Sequence, residues 1–186
     1  MEEVIIIGGG LAGSEASFFL ANHGVKVKLY EMRPVLNTPA HYSDKLGELV
    51  CSNSFKSKEI TNACGLLKKE MEIFDSLMTK VAAQTEVPGG NALCVDREKF
   101  SEHITKIIRN HPNIEVINEE VKTIPSDKIV IVASGPLTSP NLTKELENKL
   151  GATFLSFFDA SAPIITKESI NMDIAYRSEE HTSELQ

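Results

Sequence analysis

The feature that most constrains this chain is a run of glycines placed directly behind a short β-branched stretch. Val4-Ile5-Ile6-Ile7 is followed by Gly8-Gly9-Gly10-Leu11-Ala12-Gly13. Four β-branched residues in a row suit a strand buried on both faces, as in a parallel sheet. Leu11 to His23 then reads as a helix closed by Gly24. Val25 to Glu31 alternates and reads as a second strand. The three elements make a βαβ unit of about 30 residues, the size expected of that motif.

Gly8, Gly10 and Gly13 satisfy G-x-G-x-x-G, and each glycine has its own physical reason. Gly8 permits the tight strand-to-helix turn, Gly10 lets the backbone approach a pyrophosphate, and Gly13 lets the helix pack closely on the sheet. The amides from Gly8 through Gly13, with Gly9, Leu11 and Ala12 between, open a helix whose positive end suits an anion. The second strand ends in Glu31, 18 residues after Gly13. A carboxylate there accepts hydrogen bonds from the ribose hydroxyls of an adenosine. Strand, helix, second strand and acid together predict a dinucleotide site.

FAD is favoured over NAD by two features. The regular alternation of a dehydrogenase stops after Glu31 and gives way to a long irregular stretch, residues 32–55, broken by Pro34 and Pro39. Downstream, Ile129-Val130-Ile131-Val132-Ala133-Ser134-Gly135 resembles the strand-to-glycine segment that closes over FAD in two-dinucleotide flavoproteins, with Ser134 where threonine is common. The expected fold is therefore α/β: an FAD-binding, Rossmann-like, two-dinucleotide-binding flavoprotein fold that is incomplete. Other elements are read from pattern. Ile60, Cys64, Leu67, Met71, Phe74 and Met78 predict one apolar stripe of a long helix. Asp96 is placed to cap a helix from Arg97 to Asn110. Ala92–Val95, 114–117, 120–124, a buried 128–133 and 153–158 read as strands, and 140–150 as a helix.

Composition narrows the surroundings. The chain has 186 residues and a formal net charge of -7, which argues against a nucleic-acid partner, with Lys56, Lys58, Lys68 and Lys69 read as ordinary solvated surface or, alternatively, as a basic edge. Cys51, Cys64 and Cys94 form no C-x-x-C pair, so no disulfide framework or zinc site is expected. The apolar runs are too short to span a bilayer, and the acidic start is not that of an export signal. A cytoplasmic protein with no membrane or metal partner is the expectation. Residues 177–186, RSEEHTSELQ, look like the in-frame translation of a sequencing adapter. We expect them to be a non-native tail behind an N-terminal part of an FAD-binding domain over residues 1–176. Without those ten residues, one Arg and three Glu are lost and the net charge becomes -5.

Several segments resemble one family, the FAD- and folate-dependent tRNA (uracil-5-)-methyltransferases. They are Gly8 to Ala16, Tyr30-Glu31-Met32-Arg33-Pro34, Thr38-Pro39-Ala40-His41, Glu48-Leu49-Val50-Cys51-Ser52-Asn53-Ser54, Val95-Asp96-Arg97, Ser134 to Ser139 and Phe157-Phe158-Asp159-Ala160. The resemblance runs from residue 1 to about 176, and family members are longer, so it implies the front portion of such an enzyme. It further implies reductive methylation. NAD(P)H reduces FAD, methylenetetrahydrofolate supplies a carbon, and C5 of a uridine in the T-loop of tRNA receives it. In that family the cysteine matching Cys51 lies near the flavin and is implicated in catalysis; a thiolate there is a competent nucleophile for C6 of uracil, or a proton donor or base. From the residues alone, Cys51 reads as a small buried hydrophobe. Arg33 is read as neutralising a phosphate or ribose edge, or as capping the loop. His41 is read as approaching flavin or RNA, or as a solvated loop residue. Val121 is expected to offer backbone groups to the adenine, and Ser134 and Gly135 to line the cofactor. The competing readings are a related flavoprotein acting on the wobble uridine, a ribosomal RNA uridine as target, and a non-catalytic flavin-binding protein.

Overall fold

The computed structural model describes residues 3–151, 167–171 and 174. The strand expected at 153–158, Asp159 and the tail 177–186 lie outside the described residues. Two sheets organise the rest. The larger is built from β1 (Glu3–Ile7), β2 (Lys26–Glu31), β6 (Ile114–Asn118) and β7 (Ile129–Val132) in the order β6-β2-β1-β7. All three pairings are parallel, with Ile5 opposite Lys28 on one side and opposite Val130 on the other. A smaller antiparallel sheet, β3-β5-β4, uses β3 (Ser54–Ser57), β4 (Glu86–Val87) and β5 (Ala92–Val95). The helices are α1 (Leu11–Asn22), α2 (Ala63–Ile73), α3 (Leu77–Gln84), α4 (Arg97–Arg109) and α5 (Pro140–Leu150).

The β-branched run behaves as its composition dictates. Val4 and Ile6 enter the main core with Leu29, Val81, Phe100, Ile104 and Ile108, while Ile5 and Ile7 pack on the other face with Leu142. A strand with period-2 side chains and helices on both sides needs apolar residues at every position. Each of these side chains contributes about 1.5–3 kcal/mol by burial. α1 lies close to the sheet because the face it turns inward is small: Gly13, Ser14, Ser17 and Ala21 are buried. A Cβ at Gly13 would stand 1.8 Å from the Gly8 carbonyl oxygen.

Three expectations are corrected. The single long helix is two, because Asp75 takes a positive φ of 64° and Ser76 starts α3 as its cap. Glu15 of α1 fixes that break: its carboxylate accepts hydrogen bonds from Ser76 Oγ, Leu77 N and Met78 N. The supposed stripe is then no stripe, since Met78 is buried while Ile60, Leu67 and Phe74 are exposed. Residues 120–124 form no strand, and their chain is held by tertiary partners instead, with Ile124 N donating to Glu145. β7 is not fully buried. Ile129 is 55% exposed, because among the described residues only β1 pairs with it. Asp96 caps α4 as expected, accepting from Glu98 N and Lys99 N.

Candidate functional site

The parallel sheet places the candidate site by topology. β2 and β6 lie to one side of β1 and β7 to the other, so the strand order reverses at β1. In open α/β sheets ligands bind beyond the carboxyl ends of the strands at that reversal. A cleft lies there. Its walls come from Gly8, Gly9 and Gly10 after β1, Glu31, Met32 and Arg33 after β2, Glu119, Glu120 and Val121 after β6, and Ser134 with Leu137, Thr138 and Ser139 after β7. Thr38 and His41 of the irregular loop close one side, over a floor that includes Ile7, Tyr30 and Leu142.

The glycines divide their work. Gly8 has φ +108°, and a Cβ there would stand 2.6 Å from Ala133 O. Gly9 is pinned from three directions. Its N–H donates to Glu31 Oε2 at 2.9 Å, and its carbonyl accepts from Gly47 N at 2.9 Å and from Ser14 Oγ at 3.3 Å. Gly10 caps α1 with no side-chain hydrogen bond, and a Cβ there would meet nothing within 4 Å. The first-turn amides of a helix have no intrahelical acceptors. An open space in front of them is what an anion needs. Leu11 and Ala12 contribute amides to that end, while their side chains line a neighbouring apolar hollow with Phe55, Met71, Met78 and Leu93.

Glu31 points into the turn and is 5% exposed. Oε1 accepts from Arg33 N at 3.1 Å and Arg33 Nε at 2.9 Å, and Oε2 accepts from Gly9 N. An ionised carboxylate has about four acceptor sites. Three are taken, which leaves one on Oε2 for a ligand hydroxyl. Burial pushes the Glu31 carboxyl up, but the Arg33 guanidinium and the amides of Arg33 and Gly9 outweigh it and hold it below the ordinary value. Arg33 itself is 2% exposed. Its Nη1 donates to Glu48 Oε2 at 2.9 Å and to Ser43 O at 3.0 Å. Glu48 in turn accepts from Tyr42 N, Ser43 N and Ser43 Oγ. Two carboxylates around one buried guanidinium therefore hold the loop, and Asn118 Nδ2 closes over the Arg33 carbonyl. Of the two roles offered for Arg33, this geometry is that of a loop organiser.

Val121 lines the cleft and packs with the Ile5–Ile7 cluster. Ser134 Oγ is 2.7 Å from Thr138 Oγ1, and Gly135, at φ +65°, begins a short 3-10 turn to Leu137. Cys51 is exposed, so its reading as a buried hydrophobe fails. It is not one of the residues lining the cleft. Its carbonyl accepts from Arg97 Nη2 at 3.2 Å, and the next turn is tied to β5 by Asn53 Nδ2 donating to Val95 O. Cys64 and Cys94 are half-buried. The basic edge is largely spent: Lys58 pairs with Glu86, Lys69 with Glu72, and Lys68 donates to the carbonyls of Phe55 and Cys64. No helix among the described residues is long and apolar enough to cross a membrane. Sequence reasoning overlooked Glu48, Ser43 and Glu15. Glu48 stands at the head of a resembling segment, which was the available signal.

Known proteins share much of this sequence. The chain is 56% identical over 171 residues to the methylenetetrahydrofolate–tRNA-(uracil-5-)-methyltransferase TrmFO of Natranaerobius thermophilus, covering 92% of this chain and 40% of that protein. It is 53% identical over 176 residues to the protein of the same name from Lysinibacillus sphaericus, covering 94% and 40%. The chain thus spans about 40% of the length of these curated relatives. Among solved structures, the GidA-related protein from Thermus thermophilus matches with a TM-score of 0.40 at 15% identity, covering 73% of this chain and 53% of that one. The p-nitrophenol 4-monooxygenase PnpA from Pseudomonas putida matches with a TM-score of 0.43 at 16% identity, covering 68% and 34%. The family model for glucose inhibited division protein A matches residues 3–186, and the chain belongs to that family.

Proposed function

We propose that this chain is the FAD-holding front portion of a cytoplasmic enzyme that methylates C5 of a tRNA uridine in the T-loop, with methylenetetrahydrofolate as carbon donor and NAD(P)H as reductant. The observation that carries the cofactor assignment is the open space before Gly10, faced by a carboxylate with one acceptor site left. The names of relatives 53–56% identical to it support the activity.

In this reading the amides at the start of α1 hold the diphosphate, and Glu31 orients the adenosine ribose. A bound flavin supplies two-electron redox chemistry, which turns a one-carbon unit into a methyl group. Cys51 is the nucleophile. Its thiolate adds to C6 of the uracil, forming an S–C6 bond, and the C5=C6 electron pair becomes available at C5 for bonding to the carbon. Bonding of C5 to that carbon, loss of the C5 proton and expulsion of the thiolate restore the ring; the carbon's bond to the folate nitrogen breaks with the nitrogen keeping the electron pair, and a hydride equivalent completes the methyl group. The exposure of Cys51 is what a bulky RNA substrate requires.

The purified protein should carry flavin absorbance, and RNA from a deletion strain should lack T-loop 5-methyluridine while wobble modifications persist. Loss of the wobble modification instead would transfer the activity to the related wobble-uridine enzyme. Cys51→Ala should keep its flavin and lose methylation by roughly a thousandfold or more, as removal of a nucleophile does. Normal turnover in that variant would make Cys51 a surface residue only.

A further inference from the structure

His41 is tied to its own loop through Thr38. Thr38 Oγ1 accepts a hydrogen bond from His41 N at 3.2 Å and stands 2.6 Å from His41 Nδ1. Either atom can donate at this bridge: the hydroxyl to a bare Nδ1, or Nδ1–H to the hydroxyl's second lone pair. With the hydroxyl as donor, the ring is neutral and carries its proton on Nε2. Nε2 makes no hydrogen bond among the described residues, and the half-buried ring lines the same cleft as Gly9, Gly10 and Glu31.

We propose that His41 is a further ligand-binding residue of the cleft, donating from Nε2–H to an oxygen of the ribosyl diphosphate held between the glycine turn and Glu31. This rests on the dinucleotide reading above. Its charge environment agrees. Burial and the nearby Arg33 guanidinium hold the imidazole below its ordinary value, and the opposing carboxylates of Glu48 and Glu31 do not reverse that. Glu31 offers an acceptor to the ligand and His41 a donor, so the two sides of the cleft read opposite hydrogen-bonding senses of one sugar-phosphate segment.

Two substitutions separate binding from loop structure, because each keeps one ring nitrogen's role. His41→Asn places an amide oxygen near the position of Nδ1, so it keeps the Thr38 contact and loses the outer donor. His41→Gln places an amide N–H near Nε2 and gives up the Thr38 contact. Affinity for FAD and for ADP, which carries the adenosine ribose and diphosphate alone, would be measured by titration of the chain, with thermal unfolding alongside. His41→Asn should bind both ligands about 3- to 10-fold more weakly at unchanged thermal stability, the effect of one neutral hydrogen bond. His41→Gln should bind within about 2-fold of the native chain. The reverse ranking, or losses that follow thermal stability, would make His41 a loop staple and overturn the proposal. Weakening for FAD but not ADP would also overturn it, since the contact would lie elsewhere. Failure of the native chain to bind either ligand would refute the dinucleotide reading itself, before any variant is made, and this proposal with it.

Discussion

Arg33→Ala should lower the unfolding free energy by about 3–5 kcal/mol near neutral pH, the cost of stranding buried charge. The arginine is 2% exposed and its guanidinium lies between Glu31 and Glu48, both at 2.9 Å. Without it, two enclosed carboxylates repel each other with no cation between them. Domains of this kind have only about 5–15 kcal/mol to lose. Lysine is no substitute, because a single ammonium cannot reproduce the fork that reaches both acids.

The loss should also depend on pH, and the sign follows from the carboxyls. In the native chain Glu31 and Glu48 both sit below the ordinary value of 4.5. A depressed folded value means a stabilising contribution that is complete above the unfolded value and fades as pH falls through the folded one. In Arg33→Ala, burial is the largest influence left on Glu31 and raises it, so protonation stabilises the folded variant. The gap between native and variant chains should therefore narrow from about pH 7 toward about pH 4. Urea unfolding at several pH values measures it. A gap that stays constant over that range, or never exceeds about 1 kcal/mol, would mean that Arg33 does not balance these acids.

This network is hidden from the sequence for a physical reason. β1, α1, β2 and the glycine turn were legible because each depends on residues close in the chain: a β-branched run, a glycine whose φ is positive, an acid at a strand end. Glu48 is 15 residues from Arg33 across an irregular loop, and no periodicity connects them. Their pairing is created only when Gly47 N docks on the Gly9 carbonyl and Leu46 is buried against the turn. The long helix failed for the same reason. Apolar spacing from Ile60 to Met78 suggested continuity, but Glu15, 61 residues away from Ser76, supplies a carboxylate that makes a new helix start favourable there. Local propensity lost to tertiary capping. β7 was read as buried from its composition, yet burial of a strand requires neighbours, and composition does not say how many the chain provides.

Gly10→Val should abolish flavin binding, weakening it at least about a hundredfold, while leaving the fold intact. The same substitution at the two other motif glycines should instead unfold the chain. Tenfold in affinity corresponds to about 1.4 kcal/mol, so the expected loss is about 2.8 kcal/mol or more. The distinction comes from what each new side chain would meet. At Gly8 a Cβ would stand 2.6 Å from a backbone oxygen with φ at +108°, and at Gly13 it would stand 1.8 Å from another. Neither neighbour can move without breaking the β1–α1–β7 contact. At Gly10 the backbone is extended, at φ -73° and ψ -164°, a conformation valine adopts readily, and a Cβ meets nothing within 4 Å. Valine there costs the folded chain at most about 1 kcal/mol of cap preference. The methyl groups would instead fill the space in front of the α1 amides, where a diphosphate has to approach to hydrogen-bonding distance. Circular dichroism and thermal unfolding of Gly10→Val would report a native-like chain, and the flavin absorbance of the purified protein would be gone. A variant that stays folded and retains flavin within about threefold of the native chain would show that the cofactor's phosphates do not sit at this turn.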